Sequence, residues 1–389
     1  MLCRNHHHHA IVALVVAGLL FIFIGSAGAA EETSNIPSDV MPSLHYLLDL
    51  AKQPQDTAFD VRQIDPFVAF FRSTKKADAI NTADGTFDAP SAYHEFTIHT
   101  DLQRIIDYTM DANIPSFFFW PSSLRVTRWT HVNGGDGQFD RLKAATGKLN
   151  APFIFSGTEH VTITPDQHTG AYYTYDVDKR VILTPLLNGR AMISIYRQQA
   201  PSEVGRKGWV LGSDEDWSYL YTQETGLNVT GLGWANTYMY DSCGITIYFQ
   251  PDPKIPLVVC GVISWVDAGW AGMNMVKPRH IHRGLVRVAK AFTEIMEDPR
   301  LPDPQILAKT FSHSDQLSTT TLKAYAKEYF DSLEQRLSAS ESLKREVGDA
   351  LDPASTIEQM SRDEMYAVLA LDYLKKLLGR NPVIDAHPF

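Results

Sequence analysis

Asn188-Gly189 stands between two runs of strand-forming residues, Val181–Leu187 and Ala191–Arg197. Both turn residues tolerate positive φ, so the pair closes a two-residue hairpin. That turn commits the middle of the chain to antiparallel sheet. His160–Thr164 and Gly170–Val177 come before it, and Asp178-Lys179 predicts a further turn ahead of Val181. These segments read as a meander. Trp209–Gly212 and Tyr219–Thr222 are expected to extend it, as is a hairpin of Gly244–Gln250 and Leu257–Trp265 around Gln250-Pro251-Asp252-Pro253. The sheet region opens with a compact aromatic run, Ser116–Trp120, closed by Pro121.

Helical spacing dominates on either side. Pro42–Lys52 places Leu44, Leu47, Leu48 and Ala51 on one face, with Pro at the first turn. Asp65-Pro66 opens a segment with Phe67, Phe70 and Phe71 on one side. Thr100-Asp101-Leu102-Gln103 has the form of a capping box, and Phe139–Thr146 reads as a short helix. After the sheet, Pro278–Glu297, Thr319–Leu337 and a helix capped by Ser361-Arg362-Asp363-Glu364 each carry one apolar stripe. Gly379 and Pro382 end the last. The fold class is therefore α+β: an antiparallel sheet, meander plus hairpin, between N-terminal and C-terminal helices. A polar, proline-containing stretch at Asp298–Asp303 divides an expected core, residues 31–298, from a helical C-terminal extension, residues 299–389.

Residues 1–30 read as an export segment. Ala10–Ile24 is continuously apolar, Arg4 precedes it, and Ala27-Gly28-Ala29 offers the small side chains of a cleavage site. The expected location is periplasmic or secreted. Ala10–Ala30 is also long enough to span a bilayer if uncleaved. No later stretch is, so contact with a membrane is expected only through this segment. Its removal takes one of 35 basic residues and none of 45 acidic ones, moving the net charge from −10 to −11. An acidic balance argues against nucleic acid as a partner. Export also permits a disulfide between Cys243 and Cys260. A turn centred between Pro251 and Asp252 sets the two opposite each other. A turn two residues later does not.

Motifs for common chemistry are missing from the mature sequence. It has no Gly-x-Ser-x-Gly, no glycine-rich phosphate loop, no Cys-x-x-Cys and no His-Glu-x-x-His. No cofactor and no metal are expected. His280-Ile281-His282 is the one His-x-His there, and a helix that turns Ile281 inward separates the two rings by roughly 200°.

Gly231–Arg283 stands apart. It holds three of the seven tryptophans, Trp234, Trp265 and Trp270, with Tyr238, Tyr240 and Tyr248. Glycines alternate with them, and Asn236, Asp241, Asp267 and Asn274 lie among them. Aromatic walls with a few fixed polar groups are the make-up of a small-molecule pocket. Gly269–Asn274 is too rich in glycine for a helix and too long for a tight turn. It leads into Lys277, Arg279 and His280 at a helix start, where unpaired N–H groups favour an anion. The expected ligand is a small anion or an amino-acid-like molecule, held by Trp234, Tyr238, Tyr240, Asp241, Trp265, Trp270, Asn274, Lys277, Arg279 and His280. Two other functions fit the same residues: an exported hydrolase using Asp241, Asp267 and His280, and an interaction module that docks a protein partner through the C-terminal helices. The element order is similar to that of exported sensory modules of the PAS/Cache type, which bind small anions or amino acids on such a sheet. The likeness is one of element order alone.

Overall fold

The computed structural model describes residues 33–53, 57–73, 80–82, 89–165, 170–229, 233–341 and 352–389. Residues 1–30, read above as an export segment, lie outside them. The strands are β1 (Thr33–Asn35), β2 (Ile80–Thr82), β3 (Ser91–Ile98), β4 (Leu124–Val132), β5 (Phe153–Ile163), β6 (Ala171–Tyr172), β7 (Thr174–Leu186), β8 (Gly189–Gln198), β9 (Arg206–Val210), β10 (Tyr219–Thr225), β11 (Leu227–Val229), β12 (Gly233–Ala235), β13 (Thr237–Gln250), β14 (Val258–Trp270) and β15 (Met273–Asn274). The helices are α1 (Met41–Leu50), α2 (Asp65–Ser73), α3 (Leu102–Thr109), α4 (Gly137–Thr146), α5 (Pro278–Glu297), α6 (Pro304–Ser314), α7 (Thr319–Ser338), α8 (Pro353–Gln359) and α9 (Arg362–Leu377).

The fold is α+β. The main sheet runs β1-β2-β3-β14-β13-β8-β7-β5-β4, with β15 on β14, and every pair except β1–β2 is antiparallel. Alternation along β13 explains its two-sided burial. Cys243, Ile245, Ile247 and Phe249 face the N-terminal helices with Leu44, Leu48, Phe67 and Phe71. Tyr248 faces the other way, into a cluster with Ile105, Phe118, Phe292, Phe311 and Leu374. Ile193, Ile195, Ile245 and Ile247 are all at 0% exposure. Burying each such side chain contributes roughly 1.5–3 kcal/mol.

Several local expectations change. Asp178-Lys179 is not a turn: β7 passes straight through it. Asp178 sits opposite Arg197, and Lys179 meets Glu159 at 2.6 Å. Cross-strand partners satisfy the charges that resembled a loop. Ser116–Phe118 is a short 3-10 turn, because three consecutive phenylalanines, Phe117 to Phe119, are all buried and a strand would send them to alternate sides. β4, which the sequence pattern does not announce, supplies the sheet edge. β9 and β10 do not continue the meander but form a separate three-stranded sheet with β6. At α3 the cap is Asp101 rather than Thr100, its carboxylate accepting the Arg104 N–H at 2.7 Å. The capping box at Ser361 and Glu364 is present.

The disulfide is also corrected. In the β13–β14 ladder Cys243 pairs with Trp265, and Cys260 with Tyr248. The turn therefore centres on Lys254, later than either position considered for the bridge. An odd register offset sends the two thiols to opposite faces of the sheet. Both are free and buried.

The C-terminal helices pack onto the same body. α7, α8 and α9 share a cluster with Leu211 and Leu220, and α6 and α9 contribute to the main cluster under the sheet. Among the described residues no helix is long and apolar enough to cross a membrane.

Candidate functional site

The β13–β14 hairpin outruns its neighbours. Cys243–Arg197 is its last pair with β8, and Trp265–Ser91 its last with β3. Beyond them residues 237–242 and 266–270 project as a two-stranded ribbon, braced where Met239 and Thr237 carbonyls accept N–H groups of Ser202 and Gly205. A bulge between Met239 and Asp241 puts one extra residue, Tyr240, on β13.

The bulge brings two pairs together on the face that continues from Trp265. Tyr238 and Tyr240 stack with ring centroids 6.0 Å apart and planes 25° from parallel. The Tyr240 hydroxyl accepts the Gly272 N–H at 2.9 Å. Asp241 lies directly opposite Asp267 in the ladder. Like charges at such a position oppose folding. Burial, and then the Asp241 carboxylate, raise the Asp267 pKa. The Asp267 Oδ1 atom is buried and has no hydrogen-bond partner. The neighbouring Cys243 thiol is pushed up to about 12 by burial, with Asp241 adding to the effect.

The other proposed site residues are spread out. Trp265 is a core residue at 1% exposure. Trp234 sits on β12, with its side chain outside the described part of the structure. Trp270 is half-buried and pairs with Thr237 and Met273. Gly269–Asn274 is a tight hairpin after all. Ala271 and Gly272 have φ of 52° and 75°, which is the two-residue turn with both central residues left-handed. Asn274 braces the approach to α5, its Oδ1 accepting the Val276 N–H at 2.9 Å. Lys277 caps α5 and is exposed, as is Arg279. His280 Nδ1 lies 3.4 Å from the Lys277 N–H. α5 packs with Ile281 against Ala92 and Val266, on the face away from Asp267. The acidic, aromatic half of the segment and its basic half thus occupy opposite sides of the ribbon. Further along α5 the basic stripe makes contacts: Arg287 Nε meets Asp214 at 3.2 Å, and Lys290 pairs with Glu215.

A second polar centre has only a faint signature in the sequence. Arg125 on β4 is buried, its Nη1 3.1 Å from Glu364 Oε1 and its guanidinium 3.7 Å above the Tyr221 ring. Burial alone would raise the Glu364 pKa, but Arg125 and hydrogen bonds at Ser361 outweigh it and leave the pKa lowered. On the same side of α9, Asp372 accepts the N–H groups of Val383 and Ile384. Lys375 donates to Ser218 Oγ at 3.0 Å. Burial pulls Lys375 down to about 8 despite Asp372, 3.9 Å away. The signature is Asp372 and Lys375 one turn apart inside the apolar run Val368–Leu378. Among the described residues no group of three or more His, Cys, Asp or Glu side chains is placed to hold a metal ion.

No protein-family model matches the chain, and a search of curated proteins finds no match either.

Proposed function

We propose that this is an exported small-molecule-binding protein whose ligand presents a protonated amine, as an amino acid does, to the Tyr238–Tyr240–Asp241–Asp267 face. The buried, unpartnered Asp267 oxygen beside Asp241 carries this reading. A buried acceptor without a donor costs about 1–3 kcal/mol. An ammonium group would supply that donor and relieve the repulsion between the carboxylates. The two tyrosine rings would add cation–π attraction of about 0.5–2 kcal/mol. The basic residues that prompted an anionic ligand, Lys277 and Arg279, belong to the other side of the ribbon. Export rests on the apolar run Ala10–Ile24 and its small-residue boundary.

A thermal-shift screen of amines, amino acids and carboxylic acids tests the reading. Amine-bearing compounds should raise Tm through linkage, and Asp241→Asn should remove the shift. Stabilisation by carboxylic acids without an amine, unchanged in Asp241→Asn, would sink it. The hydrolase reading uses the same carboxylate pair. Turnover of a generic ester or glycoside panel, lost in Asp241→Asn, would favour it instead.

A further inference from the structure

The face that carries Asp241 and Asp267 continues across the sheet, and the strand register shows with what. Asp178 stands opposite Arg197, and Arg197 opposite Cys243. Partners in a ladder share a face, and so do residues two apart on one strand. Asp176, Gln199 and Asp241 therefore lie in one row, a step beyond Asp178, Arg197 and Cys243, with Asp267 next in it. The Gln199 N–H donates to the Asp176 carbonyl at 3.0 Å, in keeping with that step. The apolar cluster under the N-terminal helices reaches Cys243 and Trp265 on this face, and the row lies past it. We propose that the ligand of this face is a linear polyamine, one terminal ammonium held between Asp241 and Asp267 and the other at Asp176. The inference rests on the amine reading above and adds a second anchor to it.

The row offers acceptors along its length. Gln199 Nε2 donates to Asp178 Oδ1 at 2.7 Å and to Thr158 Oγ1 at 3.3 Å, which leaves its carbonyl oxygen to accept. His160 Nδ1 lies 2.6 Å from Asp176 Oδ1, which leaves Oδ2 to a ligand. Asp176 is half-exposed, so a ligand can reach it. At the other end the Asp267 Oδ1 atom is buried and without a hydrogen-bond partner, so water does not serve it. Arg197 answers Asp178 in the inner row and stands opposite neither Asp241 nor Asp267. Neighbouring strands are about 4.8 Å apart, so two steps put Asp176 roughly 10 Å from Asp241. One metal ion cannot bridge that distance, and one ammonium group cannot either. An extended chain covers about 3.5 Å in three bonds, so the span takes about nine bonds, as between the terminal nitrogens of spermidine but not of putrescine. The nitrogen within such a chain passes Gln199 and gives its carbonyl oxygen a donor.

Titration calorimetry on the whole chain compares butylamine, putrescine, spermidine and an eight-carbon diamine with an amine at each end, all at one ionic strength. The last two share the long span. Each should bind at least about tenfold more tightly than putrescine or butylamine, because the second contact is made within the complex. Asp176→Asn should weaken the two long amines about tenfold, as expected for one lost hydrogen bond to a charged group, and butylamine less than about twofold. Equal affinity for all four amines, or long amines unaffected by Asp176→Asn, would overturn the polyamine inference and leave the amine reading standing. No binding of any amine would end both. Magnesium binding as tightly as spermidine would show attraction by charge alone and would overturn the inference as well.

Discussion

Asp267 is held in a place where its charge opposes the fold. Its pKa is raised above the usual 3.8, first by burial and then by Asp241. A carboxyl with a raised pKa contributes stability that is fully present below pH 3.8 and is lost as pH rises through the folded value. Asp267→Asn should therefore raise Tm at pH 7 and leave it unchanged near pH 3, as a pair of melting curves would show. A stabilising substitution on the face proposed to bind a ligand would fit a residue kept for function at the expense of stability. Ala271 presents a milder strain. At φ 52° it occupies a conformation that costs an L-residue about 1 kcal/mol. Ala271→Asn gives the Asn-Gly pair that this turn type favours, and urea unfolding should show a gain of up to about 1 kcal/mol.

At the scale of elements, the tail after α9 is bound by its backbone. Asp372 receives the Val383 and Ile384 N–H groups, and the Phe389 ring stacks on Tyr373 at 5.3 Å. His387 is enclosed between them, its Nε2 3.8 Å from Asp372 Oδ2. Burial lowers its pKa below 6.5, and Lys376 adds to this. Asp372 and Asp385 pull the other way but do not win. A histidine kept neutral in the folded state costs stability once the unfolded imidazole gains a proton, so the tail weakens as pH falls below 6.5. Hydrogen-exchange protection at residues 380–389, measured against the intrinsic rate at each pH, should fall between pH 7 and pH 5, and His387→Gln should flatten that response. Helices are the most legible elements in the sequence. Pro278–Glu297 is plain to the residue because the proline at its first turn and the apolar stripe agree. The hairpin at Asn188-Gly189 is present but one residue earlier than the sequence pattern places it: Leu186 pairs with Gly189, so Leu187 and Asn188 make the turn, and only Gly189 adopts a positive φ, 109°. β4 is hidden because Arg125, Arg128 and Arg125's partner Glu364 make its burial depend on a residue more than 200 positions away. The hairpin register is open for a related reason: two prolines flank Asp252, and its Oδ1 accepts the Lys254 N–H at 2.9 Å, shifting the turn. In the site, Tyr238 and Asp241 stand three apart, which strict alternation sends to opposite faces; the bulge at Tyr240 unites them, and the sequence carries no sign of it. The grouping of Lys277, Arg279 and His280 with them fails because sequence proximity does not tell which face of the sheet a helix covers.

In the whole molecule, the sheet and the C-terminal helices share one interior. Phe118 and Phe311 rings lie 5.0 Å apart, the Tyr108 hydroxyl donates to the Pro302 carbonyl at 2.8 Å, and Arg380 meets Glu294 at 2.6 Å. Those contacts bind residues 299–389 to the core strongly enough that calorimetry should show one cooperative transition. Two separated peaks would show that the extension unfolds alone. The strand order has a consequence for how the chain comes off the ribosome. β3 ends at Ile98, yet its long neighbour β14 begins only at Val258. The meander through β8 likewise presents an open edge until β13 arrives. The β3 edge waits some 160 residues of synthesis, and the β8 edge some 40, for a hairpin that must slide between them. Such distant pairing slows folding and leaves strand edges available to the wrong neighbour. This architecture favours a chain kept unfolded until its last strands are made, or one accompanied by a helper that covers those edges.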